Sequence, residues 1–252
     1  MITHLEDKLK AYDILSSVLS EEDAIIQQGK EVILSHFKEH MYEYEYLVSQ
    51  DTELEGVLAY DAEKYHIYFL VVKKEYRHND IGSSLLDALK QEAGNKNISK
   101  LTVNVFESDK SFYVSNGFEV CSSTDTSANI HVTEMEYLLG RNMLGKTVTV
   151  IVERHYGDYH PTLQDTRLPY NAGYVKQDIT EEDALFQDAY IIGVEENIDV
   201  FTGYVCGIIY HKDEENSKWI VAPIGMNVDY DDVIQLLGLE EQFYDSRFIW
   251  SK

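Results

Sequence analysis

The sequence predicts an α/β layer over its first 140 residues, then a small barrel or sandwich closed by two helical pieces. Three observations carry that expectation. From Tyr44 onward strands alternate with helices, the pattern of an α/β layer. After Gly145 five short strands lie close together between polar turns, the spacing of a small β-domain. In the first half an apolar strand, Ile67-Tyr68-Phe69-Leu70-Val71-Val72, runs through a cationic turn bearing Lys73, Lys74 and Arg77 and a small-residue step into an amphipathic helix. That order points backbone N–H groups at one spot, which suits phosphate.

Each element has a local reason. Glu6 to Leu19 reads as a helix because Leu9, Tyr12, Leu15 and Leu19 recur at helical spacing. Ser20, followed by Glu21-Glu22-Asp23, reads as the N-cap of a second helix reaching about His40. Strands follow at Tyr44–Ser49, Glu55–Tyr60 and Tyr65–Val72, separated by polar turns. A helix from Gly82 to Ala93 ends at Gly94 as its C-cap. Then come a strand at Leu101–Phe106, a short helix at Lys110–Asn116 closed by Gly117, and strands at Phe118–Ser122 and His131–Tyr137. Leu138–Gly145 reads as a join, giving domains at 1–140 and 145–252. Beyond it strands are expected at Thr147–Glu153, Gly173–Lys176, Ala189–Val194, Tyr204–Lys212 and Lys218–Ala222, then helices at Tyr230–Leu237 and Glu240–Arg247.

Composition narrows the function classes. The net charge is −24. The acidity is even: residues 1–140 carry 12 Lys and Arg against 25 Asp and Glu, and residues 141–252 carry 9 against 20. Such a chain repels nucleic acid and anionic membranes at long range and draws cations, amines included. Cys121 and Cys206 form no CxxC pair, so neither a disulfide framework nor a zinc site is expected. The N-terminus has no basic and apolar leader pattern, and no apolar run has membrane-spanning length. A cytoplasmic protein is expected, with neither nucleic acid nor membrane as partner and with a homodimer open.

Two motifs of the first half carry chemistry. They are Arg77-His78-Asn79-Asp80-Ile81-Gly82-Ser83 and Ser111-Phe112-Tyr113-Val114-Ser115-Asn116-Gly117-Phe118. In this order they resemble the phosphate loop and the F-Y-x-x-x-G-F signature of the GNAT superfamily of N-acetyltransferases. The resemblance covers roughly residues 1–140 and implies a mixed twisted sheet flanked by helices. It also implies that acetyl-CoA is the acyl donor and a small-molecule or peptide amine the acceptor. By resemblance Arg77, His78, Asn79, Asp80, Ile81, Gly82 and Ser83 cradle the pyrophosphate. Leu70 and Val72 present main chain to the pantetheine arm, and Asn104 lies by the pantetheine or acetyl region. Tyr113 protonates the departing thiolate. Asp80 stands where the family's first loop glycine falls; its charge is unfavourable toward a pyrophosphate unless it points outward or pairs with Arg77. The plainer readings stand beside these: Tyr113 as a packed aromatic, Asn104 as a strand-end polar residue, the cations as a solvated strand exit. No general base stands out. His66, Glu107 and a water chain are all open.

In the second half Leu168-Pro169-Tyr170-Asn171-Ala172-Gly173-Tyr174, Asp188-Ala189-Tyr190-Ile191-Ile192-Gly193, Phe201-Thr202-Gly203 and Lys218-Trp219-Ile220-Val221-Ala222-Pro223 resemble a shortened soluble inorganic pyrophosphatase. That resemblance implies a five-stranded barrel-like domain. It also implies a Mg²⁺ site drawing on Asp183, Asp188 and Asp213, with Glu153 and Lys218 nearby. The acidic cluster is depleted: Asp183-Ala184-Leu185-Phe186-Gln187-Asp188 lacks its middle carboxylate. Losing a ligand weakens a Mg²⁺ site made of few charges, so this half is expected to be non-catalytic. Three functions follow: an N-acetyltransferase acting on a primary amine, a Mg²⁺-dependent phosphohydrolase in the second half, and an interaction protein built from two retired catalytic folds.

Overall fold

The computed structural model of the chain describes residues 1–21, 34–125, 131–163, 165–176, 186–211 and 216–251. The chain divides into two compact units. One comprises Met1–Ala93 and Lys100–Leu138; the other comprises Gly94–Ser99 and Leu139–Lys252.

The first unit is a seven-stranded sheet in the order β1-β2-β3-β4-β5-β7-β6. Its strands are β1 (Ile2–His4), β2 (Glu45–Gln50), β3 (Leu54–Tyr60), β4 (His66–Val72), β5 (Lys100–Val105), β6 (Glu119–Asp125) and β7 (His131–Leu138). The helices are α1 (Lys8–Glu21), a stretch α2 at residues 34–40, α3 (Ile81–Asn95) and α4 (Lys110–Ser115). One face of the sheet carries α3. There Gly56 lies under Ile81, Leu70 lies under Gly82, and the Tyr60 hydroxyl donates to Glu92. On the other face Ala11, Ile14, Leu15 and Val18 of α1, with Phe37 of α2, pack on Tyr46, Val48, Val57 and Ala59. The apolar residues of α1 fall on one side at helical spacing, which is why that helix lies flat on the sheet.

Two irregularities shape the centre of this sheet. β4 pairs with β5 in parallel at only two positions, His66↔Thr102 and Ile67↔Val103. Beyond them the two strands part. The second is a bulge in the β3–β4 pairing: Ala59 faces Phe69 while the next residue, Tyr60, faces Ile67. Tyr68 is the extra residue, and a bulge re-aims its side chain. Its ring stacks on Tyr44 at 4.1 Å, on the face where Phe69 meets Phe37.

The sequence expectations differ from this unit at three places. β1 was not expected; it is three residues long and joins the sheet edge through pairing with β2. α1 continues through Ser20 to Glu21, so Ser20 is not an N-cap; the remainder of the expected second helix before residue 34 lies outside the described residues. Gly94 is not a C-cap, because α3 runs on to Asn95 and the left-handed residue after it is Asn97, at φ 58°.

The second unit is a six-stranded sheet, β12-β10-β9-β8-β11-β13, with β11 also paired to β12. Its strands are β8 (Thr147–Arg154), β9 (Asn171–Lys176), β10 (Phe186–Ile191), β11 (Val200–His211), β12 (Ser217–Ala222) and β13 (Ser246–Trp250). The long β11 gives one edge first to β8 and then to β13, and the other edge to β12. α5 (Tyr230–Glu241) begins at Asp229, whose side chain accepts from the N–H groups of Asp231 and Asp232. Val233 and Leu237 of α5 join Tyr170, Tyr190, Cys206, Ile209 and Ile220 in one core.

Here the expectation of two late helices is corrected. The helix is continuous to Glu241, and Ser246–Trp250 is a strand. The glycine opposite explains it: a Cβ on Gly207 would sit 2.5 Å from the Trp250 ring, so a bare backbone there receives the indole and fixes β13 on β11.

Candidate active site

The candidate site of the first unit is built where β4 ends and α3 begins. Lys74–Tyr76 form a single 3-10 turn, and the chain then passes Arg77 to Asp80 before entering α3. His78 and Asp80 both take left-handed backbone, at φ 63° and 56°. Asp tolerates that conformation better than most residues. The Asp80 carbonyl accepts the N–H of Ser84, so the N–H groups of Ile81, Gly82 and Ser83 have no partner within the helix.

These groups open onto a cavity of about 530 Å³. Leu70, Val72, Arg77, His78, Asp80, Ile81, Gly82 and Ser83 all line it. The structure thus brings together eight of the residues singled out in the sequence. Arg77 is anchored by its Nε donating to the Val72 carbonyl at 3.0 Å, which ties the loop to the end of β4.

Other expected members lie elsewhere. Asn79 does not line the cavity; its side-chain amide turns back toward the Tyr76 carbonyl at 3.4 Å. Lys73 is held by Glu53 at 2.6 Å and lines a separate cavity of about 370 Å³ with Lys10 and Asp13. Glu53 also accepts from the Tyr76 hydroxyl, and the two hydrogen bonds hold its carboxyl below the usual range. Of the expected cations Lys73, Lys74 and Arg77, Arg77 lines the cavity, so the cluster is thinner than the sequence suggests.

Asn104 is exposed on β5, one residue past Val103, the last position paired with β4. It sits where the strands part, opposite Glu134 of β7. Tyr113 is buried on α4 between the rings of Phe112 and Phe118, at 5.2 and 5.3 Å. Burial pushes its phenol far above the ordinary value, with the charge of Asp109 adding to the effect, so it holds its proton at every physiological pH. The neighbour that lines the cavity is Phe112, with Asp109 and Ser115. Sequence reasoning missed Phe112. Its signal was the fixed distance to Gly82: a Cβ there would lie 3.0 Å from the Phe112 ring and 3.4 Å from Leu70. Gly82 is needed for packing as well as for approach to a ligand.

In the second unit the expected metal ligands Asp183 and Asp213 lie outside the described residues. Asp188 is exposed and lines a pit of about 60 Å³ with Glu153, Arg154, Tyr190 and Lys218. Lys218 already brings a positive charge there. Its Nζ lies 3.3 Å from both Glu241 and the Tyr190 hydroxyl. Glu241 further accepts from Ser246 at 2.6 Å and sits 2.7 Å from His211 Nε2, while Glu240 pairs with Arg154 at 2.9 Å. Burial alone would raise the Glu241 carboxyl. The hydrogen bonds from His211 and Ser246 and the charge of Lys218 outweigh it and hold the carboxyl at about 2. Among the described residues no group of three or more His, Cys, Asp or Glu is placed to hold a metal. Arg154 and Lys218 share the pit with Asp188 and Glu153 and add positive charge where a Mg²⁺ would draw on carboxylates.

Residues 19–139, just under half of the chain, match the family described as the acetyltransferase (GNAT) domain. The first unit carries a GNAT acetyltransferase domain. Its solved neighbours include a GCN5-related N-acetyltransferase from Rhodopseudomonas palustris, at 19% identity and TM-score 0.47, covering 55% of this chain and 95% of that one. The ribosomal-protein-S18-alanine N-acetyltransferase from Escherichia coli is similar at 18% identity and TM-score 0.42, covering 56% and 97%. The PaiA N-acetyltransferase from Thermoplasma acidophilum, solved with coenzyme A, is similar at 22% identity and TM-score 0.40, covering 55% and 99%. No curated protein matches the chain. These comparisons lend the pyrophosphatase-like reading of the second unit no support. Among the described residues no helix is long and apolar enough to cross a membrane.

Proposed function

We propose that the first unit transfers an acetyl group from acetyl-CoA to a primary amine. The observation that carries this is the cavity between the end of β4 and the start of α3. The N–H groups of Ile81, Gly82 and Ser83 and the guanidinium of Arg77 suit the charge of a pyrophosphate. Leu70 and Val72 offer a main-chain edge to an extended arm. Acetyl-CoA supplies an activated acyl group in thioester form. The chain's own part is to hold that arm along β4, to stabilise with a backbone N–H the carbonyl oxygen that gains charge, and to return a proton from Tyr113 to the departing sulfur. The test is release of CoA thiol from acetyl-CoA in the presence of amines. Thiol release that needs both substrates supports the reading; release that is independent of any amine, or none at all, contradicts it.

For the second unit we propose a non-catalytic role. The support is the Lys218–Glu241–His211–Ser246 network, which uses its charges on itself. Phosphate release from pyrophosphate with Mg²⁺ by the native chain, abolished in Asp188→Asn, would contradict that assignment.

A further inference from the structure

We infer that a second cavity of the first unit, between α1 and the turn from β2 to β3, is a binding site for a small α-amino acid with an aliphatic side chain. It shares no lining residue with the cavity at the start of α3, and every residue that lines it belongs to the first unit. The acetyl-transfer reading neither requires this site nor assigns it.

The volume, about 370 Å³, falls in the range of small-molecule sites, about 300–1,000 Å³. One wall is α1. Lys10, Asp13, Ile14 and Ser17 line it, three and four residues apart, so they fall on one stripe of the helix. The other wall is the end of the sheet, with Leu54 at the start of β3 and Lys73 just past β4. Ile14 is buried in the core under α1, and Leu54 packs against that same core. The floor is therefore apolar, and charged groups stand at its rim.

The charges select the ligand. Lys73 is 20% exposed, and its Nζ lies 2.6 Å from a Glu53 carboxylate oxygen. That cation is already matched and does not call for an anion. Lys10 and Asp13 are left, and both are exposed. Among the described residues Lys10 pairs with Asp7 at a loose 3.9 Å, and Asp13 forms no ion pair. One positive and one negative group, a helical turn apart, complement an ammonium and a carboxylate carried on the same carbon. A plain carboxylate would meet Asp13 and a plain amine would meet Lys10, each a like-charge contact that rejects it. An aliphatic tail completes the fit, because it covers Ile14 and Leu54 and removes their apolar surface from water. Ser17, one turn beyond Asp13, adds a hydroxyl that donates to a carboxylate or accepts from an ammonium.

The test uses three probes with one branched tail: L-leucine, isocaproate, which lacks the ammonium, and isoamylamine, which lacks the carboxylate. Calorimetry on the native chain should show saturable one-to-one binding of L-leucine at millimolar concentration or below. The other two should bind at least about tenfold more weakly, the usual worth of one hydrogen bond to a charged group. Asp13→Asn and Lys10→Gln change exposed helix positions; each should weaken L-leucine binding by about tenfold with the melting temperature unchanged. Glu53→Gln leaves Lys73 unmatched and should raise the affinity for isocaproate above that of the native chain. No saturable binding of L-leucine at millimolar concentration, equal binding of all three probes, or L-leucine binding that is unchanged in both Asp13→Asn and Lys10→Gln overturns the assignment. None of these readings needs acetyl-CoA, so failure of the transferase reading and failure of this site are separate results.

Discussion

Replacing Glu241 by glutamine removes the negative centre of the buried network in the second unit. Its carboxylate is 4% exposed and lies within 3.3 Å of groups on His211, Lys218, Tyr190 and Ser246. A carboxyl held at about 2, against an ordinary 4.5, contributes about 3 kcal/mol to folding at neutral pH. Truncating one partner of a buried pair costs about 3–5 kcal/mol, which agrees. The folded value is lowered, so the contribution is complete above pH 4.5 and fades as the pH falls toward 2. Trp219 and Trp250 are the chain's two tryptophans, and both lie in the second unit, so their fluorescence follows that unit alone. In urea at pH 7 the variant's midpoint should fall by about 1.5 M, taking a slope of about 2 kcal/mol/M. The gap in stability should hold from pH 7.5 to 5.5, and at pH 3 roughly half or more of it should be gone. A gap below about 1 kcal/mol at pH 7, or one that does not shrink at pH 3, refutes the reasoning.

Further outcomes follow from the first unit. Gly82→Ala places a methyl against Phe112 at the cavity wall; acetyl-CoA affinity should fall at least about tenfold by calorimetry, while the melting temperature changes little because alanine favours the helix. Tyr113→Phe should lower the turnover of thiol release by about 100-fold with acetyl-CoA binding unchanged, since it removes a proton donor and little volume. Asp80→Asn keeps a residue that accepts left-handed backbone and removes a charge from the cavity; affinity for acetyl-CoA should rise by roughly threefold, most clearly at low salt.

Much of the first unit was legible because its signals are local. The strand ending at Val72, the loop to Ser83 and the helix after it follow from apolar periodicity and small residues in sequence. The strands β2 to β7 fall within a residue or three of the expected bounds. What was not legible depends on distant partners. β1 exists because Gln50 to Leu47 offer it an edge, and Phe112 reaches the cavity because Gly82 lies under its ring. Lys73 reads as a phosphate contact until Glu53 is seen to hold it. In the second unit the segment after Glu240 carries helix-forming residues, yet Phe248 and Trp250 find an apolar partner on β11 and the chain becomes a strand there. Of the carboxylates that suggested a metal, Asp188 shares its pit with Glu153, Lys218 and Arg154, a grouping that spacing along the chain does not encode.

The central claim is that the end of β4 and the start of α3 hold a nucleotide-bearing thioester. Calorimetric titration of acetyl-CoA into the native chain and into Gly82→Ala tests it most directly. Saturable one-to-one binding by the native chain, weakened in the variant, is the expected result. No heat of binding at millimolar acetyl-CoA, or equal binding by both proteins, would contradict the account.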